Sequence, residues 1–160
     1  MPDKIVTREK LVEQLQRLRA TGARIVFTNG CFDLMHIGHT RYLQAAKALG
    51  DLLVVGVNTD DSVRRLEKAP DRPIVSEAQR AEVLAALGCV DFVVLFSEPD
   101  PKALITAVQP DVLVKGGDWP LDRIIGRDVV EARGGMVRTI PLVPGFSTTA
   151  LIHRIRSASA

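Results

Sequence analysis

The first hydrophobic pattern in the chain has a helical period. Leu11, Leu15 and Leu18 recur every three or four residues, and mainly charged or amide side chains lie between them. This spacing predicts an amphipathic helix that ends near Gly22. The run at 24–28 then changes to consecutive β-branched and aromatic residues, which is typical of a buried strand. The chain therefore begins with a helix that leads directly into a strand.

Similar apolar runs return along the rest of the chain, and segments with helical spacing separate them. A capping-box sequence at 76–79, for example, starts one such helix, and Gly88 ends it. The predicted strands are 24–28, 52–57, 92–96, 112–114 and 137–142, and predicted helices include 38–49, 101–108 and 148–156. Because parallel strands need helical crossovers, this alternation predicts an α/β fold, a Rossmann-like five-stranded parallel sheet with helices on both faces.

The size and composition of the chain fit one globular domain. With 160 residues, of which 46% are hydrophobic and 25% charged, the chain is too apolar for a disordered tail and long enough for one core. We therefore expect a single domain over 1–160, with an N-terminal helix in 1–22 and the α/β core in 24–156.

Charge and cysteine usage exclude several kinds of partner. Lysine and arginine number 21 against 19 acidic residues, and the two signs are interspersed, so we expect no nucleic-acid partner. Cys31 and Cys89 are isolated, which indicates a reducing compartment and no zinc site. No long apolar run predicts a signal peptide or a membrane span. We expect a cytoplasmic protein with no membrane partner.

Side chains suited to phosphate chemistry follow the first predicted strand. In open α/β sheets, ligands bind beyond the carboxyl ends of the strands, and here His36, Gly38 and His39 begin a helix. Free backbone N–H groups at a helix N-terminus bind phosphate, and the imidazoles add donors. Asp33 is a candidate ligand for the Mg²⁺ that accompanies a nucleotide. The alternative is a chance pair of histidines on a solvent-facing turn.

Two later strand ends add further candidates. Lys115 closes the fourth predicted strand, so we expect its side chain to point into the crevice beyond the sheet. The glycines at 116–117 allow the backbone to approach a ligand, and a simple tight turn is the alternative. The hydroxyl residues at 147–149 precede the last helix, where they either cap it or bind phosphate. His153 within that helix is interpreted as a surface residue.

Several motifs, taken in order, resemble one enzyme superfamily. His36-Ile-Gly-His39 resembles the HxGH motif of the nucleotidyltransferases, and the segment 145–149 resembles their C-terminal phosphate-binding motif. The other matching segments are 29–33, 57–60, 72–73, Arg80 and 114–118. From about Arg24 to Ile155, the set is similar to the adenylyltransferases that act on D-glycero-β-D-manno-heptose 1-phosphate. HxGH alone is weakly specific, whereas the ordered set is strongly specific.

The resemblance implies a reaction and its partners. AMP would pass from ATP, bound with Mg²⁺, to the sugar 1-phosphate, giving ADP-heptose and pyrophosphate for lipopolysaccharide inner-core synthesis. Because a phosphate oxygen is already a nucleophile, no serine or cysteine nucleophile is needed, and we expect the backbone N–H of Cys31 to matter more than its sulfur. We also expect a homodimer. A separate sugar kinase would supply the substrate, because the chain has no room for the kinase domain that members often carry.

The resemblance also implies roles for single residues. His36 and His39 are expected to be catalytic, stabilising the transferring phosphoryl group and the pyrophosphate leaving group. The expected nucleotide-binding residues are Asn29, Gly30, Cys31, Phe32, His36, Gly38, His39, Arg80, Gly117, Asp118, Ser147, Thr148 and Thr149. The expected substrate-binding residues are Asp33, Lys47, Asp60, Arg72, Lys115 and Trp119, and Asp33 is also the expected metal ligand.

Two other functions stay open on the sequence. Glycerol-3-phosphate cytidylyltransferase has a similar motif layout, and motif spacing does not determine whether such an enzyme uses ATP or CTP, or which small phosphorylated substrate it takes. A non-catalytic nucleotide sensor on the same fold is the alternative from another class. The presence of both histidines, Asp33 and the hydroxyl cluster together favours an enzyme, because a sensor can lose any of them.

Overall fold

Strands and helices alternate along the chain in the order that the hydrophobic pattern predicts. The computed structural model describes residues 2–66, 69–117 and 119–159. The strands are β1 (Ile25–Gly30), β2 (Leu52–Asn58), β3 (Phe92–Phe96), β4 (Val112–Gly116) and β5 (Met136–Ile140). The helices are α1 (Arg8–Ala20), α2 (Ile37–Lys47), α3 (Asp60–Arg65), α4 (Glu77–Ala85), α5 (Lys102–Val108), α6 (Arg127–Ala132) and α7 (Thr148–Ala158). Short 3-10 turns form at Pro2–Lys4 and Leu121–Arg123.

The strands of the described residues form one parallel sheet in the order β3-β2-β1-β4-β5. The expected Rossmann-like five-stranded sheet is therefore confirmed. The chain builds outward from β1 to β3 and then crosses back to β4, so the strand order reverses between β1 and β4. Ligands bind at such a reversal point, outside the carboxyl ends of the strands. In this sheet that place lies beyond Gly30 and Gly116.

Apolar side chains cover both faces of the sheet, as expected. Leu11 and Leu15 of α1 and Ile105 of α5 pack in the cluster on one face. Leu43 of α2 and Leu84 of α4 pack in the cluster on the other face. All five side chains are fully buried, and burying a leucine or isoleucine contributes about 1.5–3 kcal/mol each. These clusters fix the helices whose N-termini and loops surround the reversal point.

Helix α6 is not expected from the sequence, and several elements, β5 among them, end one or two residues away from their expected positions. Helix α6 is not predicted by the pattern, because its N-cap is Gly126, with φ +89 and no side-chain cap. Strand β5 ends at Ile140, two residues earlier than expected. Pro141 follows it and lacks the N–H needed to continue a ladder. None of the described helices is long and apolar enough to cross a membrane.

Candidate active site

A cavity of about 730 Å³ lies at the carboxyl ends of β1 and β4. This volume is typical of a site for a nucleotide-sized ligand. The expected site residues that line it are Asn29, Gly30, Cys31, Phe32, Asp33, His36, Gly38, His39, Arg72, Ser147, Thr148 and Thr149. The fold therefore brings the HxGH segment and the later hydroxyl segment, more than 100 positions apart in the sequence, to the walls of one cavity.

His36 is the N-cap of α2, and its geometry explains the glycine of the motif. Its Nδ1 accepts a hydrogen bond from the backbone N–H of Gly38 at 3.1 Å. A Cβ at Gly38 would lie 2.8 Å from the His36 ring, closer than real Cβ contacts allow. Because Nδ1 is an acceptor, the neutral ring carries its proton on Nε2. The motif thus presents one imidazole N–H donor beside the start of α2.

His39 stacks on His36 inside the cavity wall. The ring centroids are 3.9 Å apart with 29° between the planes, and the Phe32 ring meets His39 edge-on at 5.5 Å. Burial, with a smaller contribution from His36, lowers the pKa of His39 to about 4. Burial also lowers the pKa of His36. Both rings are therefore neutral at pH 7, so they serve as hydrogen-bond donors rather than as cations.

The N-terminus of α7 is joined directly to the loop before α2. Ser147 caps α7 by accepting a hydrogen bond from the N–H of Ala150 at 3.0 Å. The hydroxyl of Thr148 donates to the carbonyl of Leu34 at 3.3 Å. Backbone N–H groups in the first turn of a helix have no intrahelical acceptor. The cavity therefore receives two helix N-termini, and each favours a bound anion.

Lys115 and Tyr42 lie at the β4 side of the cavity. The ammonium of Lys115 donates to Oδ1 of Asn29, a cavity residue, and burial lowers the pKa of Lys115 to about 8. The hydroxyls of Tyr42 and Thr28 are 2.7 Å apart, and burial raises the pKa of Tyr42 to about 12. Lys115 thus stays mainly cationic at neutral pH, and Tyr42 stays un-ionised.

Comparison with known proteins decides the family. A family model described as Cytidylyltransferase-like matches residues 27–154. The chain belongs to the cytidylyltransferase-like family. The match includes both the HxGH segment and the hydroxyl segment that line the cavity. It confirms the nucleotidyltransferase family that the motifs indicate.

Curated and solved relatives agree with this family. The Bifunctional protein HldE of Syntrophotalea carbinolica is 55% identical over 95% of this chain and 31% of its own length. The HldE of Geotalea uraniireducens is 53% identical over 98% of this chain and 32% of its own length. The chain thus spans about a third of the length of these relatives. A lipopolysaccharide core biosynthesis protein from Thermoplasma volcanium is 32% identical with a TM-score of 0.63, covering 76% of this chain and 98% of that protein.

A more distant structure has the same fold. Pantothenate synthetase from Thermus thermophilus superposes with a TM-score of 0.59 at 16% identity, over 88% of this chain and 62% of that protein. At this identity the likeness shows the fold alone.

Asp33 has a different place from the one expected for a metal ligand in this cytidylyltransferase-like chain. Its carboxylate accepts from the N–H groups of Ile74 and Val75 at 2.9 Å each, and Nε of Arg72 lies 2.6 Å from it. Both oxygens are therefore occupied by the 72–75 loop. Among the described residues, no group of three His, Cys, Asp or Glu side chains could hold a metal ion. These residues do not fit a metal site built by the protein, which corrects the expectation for Asp33.

Arg80 also has a different role from the one expected. It is 1% exposed and does not line the cavity. Its guanidinium donates to the carbonyls of Cys31 and Val75 and to the carboxylate of Asp60. In the structure the Arg80 donors are therefore used by contacts within the protein rather than presented to the cavity. Asp60 is likewise turned to Arg80, outside the cavity lining.

Lys47 lies at the opposite edge of the sheet from the cavity. Its ammonium is 2.6 Å from the carboxylate of Asp91, just before β3, and also donates to the carbonyl of Asp51, just before β2. A residue at the amino ends of the strands cannot reach a ligand at their carboxyl ends. The expectation that Lys47 binds substrate is corrected.

Two further expected residues, Gly117 and Trp119, are not part of the cavity lining. Trp119 is 60% exposed and is not part of the cavity lining. Gly117 adopts φ +59, and a Cβ there would lie 2.7 Å from Leu142, so only glycine fits this turn. It is absent from the lining, whereas its neighbour Gly116 is part of it. Asp118 lies outside the described residues.

Sequence reasoning missed several cavity residues. His153, interpreted as a surface residue, is exposed but lines the cavity together with Arg156. Arg156 pairs with Asp71 across the opening. Tyr42 also lines it. Helical spacing alone could have found the two α7 residues, because positions 149, 153 and 156 recur on one helix face. The Asp71 contact has no local signal in the sequence.

Proposed function

We propose that this chain transfers AMP from ATP to D-glycero-β-D-manno-heptose 1-phosphate, giving ADP-heptose and pyrophosphate for lipopolysaccharide core synthesis. The observation that carries the proposal is the single cavity walled by the His36–His39 motif and the N-terminus of α7. Three comparisons support this choice of reaction. They are the family of the chain, its sequence similarity to the HldE proteins and its similarity to a lipopolysaccharide core biosynthesis protein.

The proposed step is an in-line displacement at the α-phosphorus of ATP. An oxygen of the sugar phosphate forms the new P–O bond, and the bond to the bridging oxygen breaks, with both electrons leaving on pyrophosphate. The acceptor oxygen is already anionic, so no base is required. Catalysis is then positioning and charge stabilisation. The proposed donors to the transferring phosphoryl group are the neutral rings of His36 and His39.

The pyrophosphate end of ATP is assigned to α7. The N–H groups of its first turn and the hydroxyls of Thr148 and Thr149 lie at the cavity wall. Anions are stabilised at a helix N-terminus by about 0.3–1 kcal/mol at exposed sites and more where the site is buried. The hydrogen bond from Thr148 to the Leu34 carbonyl joins the start of α7 to the loop before α2. It supports the proposal that the α7 donors and the two histidines bind the same nucleotide.

The nucleoside and the acceptor are assigned to the two remaining parts of the cavity. Apolar surface from Tyr42 and Leu142 beside Gly116 suits a base and ribose. The acceptor phosphate is assigned to two cations. Arg72 lines the cavity, and the ammonium of Lys115 donates a hydrogen bond to the cavity residue Asn29. Neither assignment depends on Arg80, Asp60 or Lys47, which are absent from the cavity lining.

Several expectations stay predictions. Mg²⁺ is proposed to arrive with ATP, held by phosphate oxygens and water, which is how this ion is commonly bound. A homodimer and a cytoplasmic location are likewise proposed. A sugar kinase that acts upstream of this step is also proposed.

The proposal is tested by offering both nucleotides and both acceptors. The protein is incubated with Mg²⁺, either ATP or CTP, and either heptose 1-phosphate or glycerol 3-phosphate. ³¹P NMR then follows pyrophosphate and the new nucleoside-diphosphate product. We expect turnover with ATP and heptose 1-phosphate. Turnover with CTP alone would replace the proposal by a cytidylyltransferase, and no turnover with any pair would favour a nucleotide sensor.

A further inference from the structure

Arg80 of α4 is a buried cation that the proposed reaction does not use. It is 1% exposed, and its side chain makes three hydrogen bonds. Nε donates to the carbonyl of Val75 at 2.9 Å, one terminal nitrogen to the carbonyl of Cys31 at 2.5 Å, and the other to Asp60 at 2.8 Å. Burying an arginine is costly unless its donors are satisfied. The arrangement satisfies each nitrogen while joining three separate segments.

Two of those segments are joined again by Asp33. Arg80 links the Cys31 carbonyl to the Val75 carbonyl, and Asp33 accepts from the N–H of the same Val75 at 2.9 Å. The residues on either side of Phe32 are thus both tied to the loop before α4. Phe32 is the only residue between the two ties.

Phe32 has an unusual backbone and a position of consequence. Its φ is +49, in the left-handed region that costs a non-glycine residue about 1 kcal/mol or more. Its ring lies 3.0 Å from where a Cβ of Gly30 would be, and it meets the edge of His39 with 5.5 Å between centroids. A strained residue persists only where its surroundings hold it. Here the surroundings are the ties made by Arg80 and Asp33.

We propose that Arg80 is a positioning residue: by holding the Cys31 carbonyl it keeps the Phe32 ring against His39 and so fixes the imidazole that faces the reacting phosphate. The effect on turnover rests on the proposed function, whereas the effect on the His39 ring does not. Besides the Phe32 ring, the His36 ring packs on His39, stacked at 3.9 Å between centroids. Arg80 is connected to His39 through the Cys31 carbonyl and the adjoining Phe32 ring.

A direct grip on the triphosphate is the competing role, and it gives a different result. If Arg80 touched phosphate, its loss would raise the KM for ATP and would leave His39 unchanged in the ligand-free protein. If Arg80 acts through Phe32, the ligand-free protein already differs. The signal of His39 in the absence of nucleotide therefore separates the two roles.

The experiment compares Arg80→Met with two reference variants. The ¹H–¹³C signal of the His39 imidazole is recorded at pH 7.5 in the ligand-free protein and assigned by its loss in His39→Gln. Phe32→Leu removes the aromatic ring and gives the size of the ring-current change. Arg8→Met is the matched control, because Arg8 is a half-buried arginine paired with Glu98 away from the cavity.

We expect the His39 signal of Arg80→Met to move toward that of Phe32→Leu. We expect kcat/KM for pyrophosphate release to fall about 10- to 100-fold, mainly in kcat, because a misplaced group costs that much. Arg8→Met should change neither. An unmoved His39 signal in folded Arg80→Met overturns the proposal, whether or not the KM for ATP rises. If Arg80→Met does not fold, Arg80→Lys, which keeps the charge but cannot reach all three acceptors, is measured and judged by the same signal.

Discussion

Replacing Lys115 by methionine should make the protein more stable and less active. Lys115 is the next-to-last residue of β4, and its ammonium donates a hydrogen bond to the cavity residue Asn29. Burial lowers the pKa of this ammonium from its ordinary value of 10.5 to about 8. At neutral pH the folded protein therefore holds a charge that its surroundings disfavour. Methionine has a similar length and no charge, so it removes this penalty.

The size of the effect follows from the pKa of Lys115. A decrease from 10.5 to about 8 corresponds to roughly 3 kcal/mol of disfavoured charge. Lys115 keeps some contact with solvent, which screens part of that penalty, and Asn29 loses its donor in the variant. We therefore expect a net stabilisation of about 1–2 kcal/mol at pH 7, which corresponds to a Tm rise of about 3–6 °C for a chain of this size.

The pH dependence of Lys115→Met identifies the cause. The folded pKa lies below the unfolded one, so between about 8 and 10.5 the unfolded state holds the extra proton and the stability of the wild type rises with pH. The advantage of the variant should be full below pH 8 and shrink above it. Urea unfolding at pH 7 and 9.5 measures this.

The matched control is Lys102→Met, whose ammonium is exposed beside Asp128. It should change the free energy of unfolding by less than about 0.5 kcal/mol at either pH. The reasoning about Lys115 is refuted if Lys115→Met is no more stable than the wild type at pH 7, or if its advantage is the same at pH 9.5. Pyrophosphate release should fall in Lys115→Met, because the acceptor loses a nearby cation.

Three further outcomes are expected. Gly38→Ala places a Cβ 2.8 Å from the His36 ring, so it should lower kcat/KM about 10- to 100-fold and leave the circular dichroism spectrum unchanged. The control is Gly88→Ala, whose Cβ meets nothing within 4 Å and which should behave like the wild type. Lys47→Met should lower the free energy of unfolding in urea by about 1–2 kcal/mol and leave the KM for the sugar phosphate unchanged; a raised KM would restore its expected role. Because the pKa of His39 is about 4, the ¹H–¹³C signal of the His39 imidazole should show no titration between pH 7.5 and pH 6, and a titration centred near pH 6.5 would contradict its neutral state.

Local patterns in the sequence predict most of the fold. The five strands, the capping box at 76–79 and the start of α2 depend on residues close together in the chain, so hydrophobic spacing and capping residues reveal them. Helix α6 is not predicted, because its N-cap is Gly126 and a glycine has no side chain to mark the start of a helix. The placement of His36, Gly38 and His39 was likewise predictable, because a helix N-terminus after the first strand of a parallel sheet has a fixed location.

Long-range contacts decide what the sequence could not predict. Lys47 was expected at the substrate, but it lies at the last residue of α2, and only the direction of that helix places it at the amino edge of the sheet. Arg80 was expected at the phosphates, yet its acceptors at 31, 60 and 75 are 5 to 49 positions away. A motif therefore identifies that a residue belongs to the site without determining whether its side chain faces the ligand or the protein.

The most direct test of the account is pyrophosphate release by His39→Ala with ATP and heptose 1-phosphate. His39 lies between Phe32 and His36 at the cavity wall, where we propose that it donates a hydrogen bond to the transferring phosphoryl group. We predict a loss of about 100-fold or more in kcat, with the circular dichroism spectrum retained. Arg17→Ala, an exposed arginine on α1, is the control and should keep full activity. Near-normal turnover by folded His39→Ala would contradict the account.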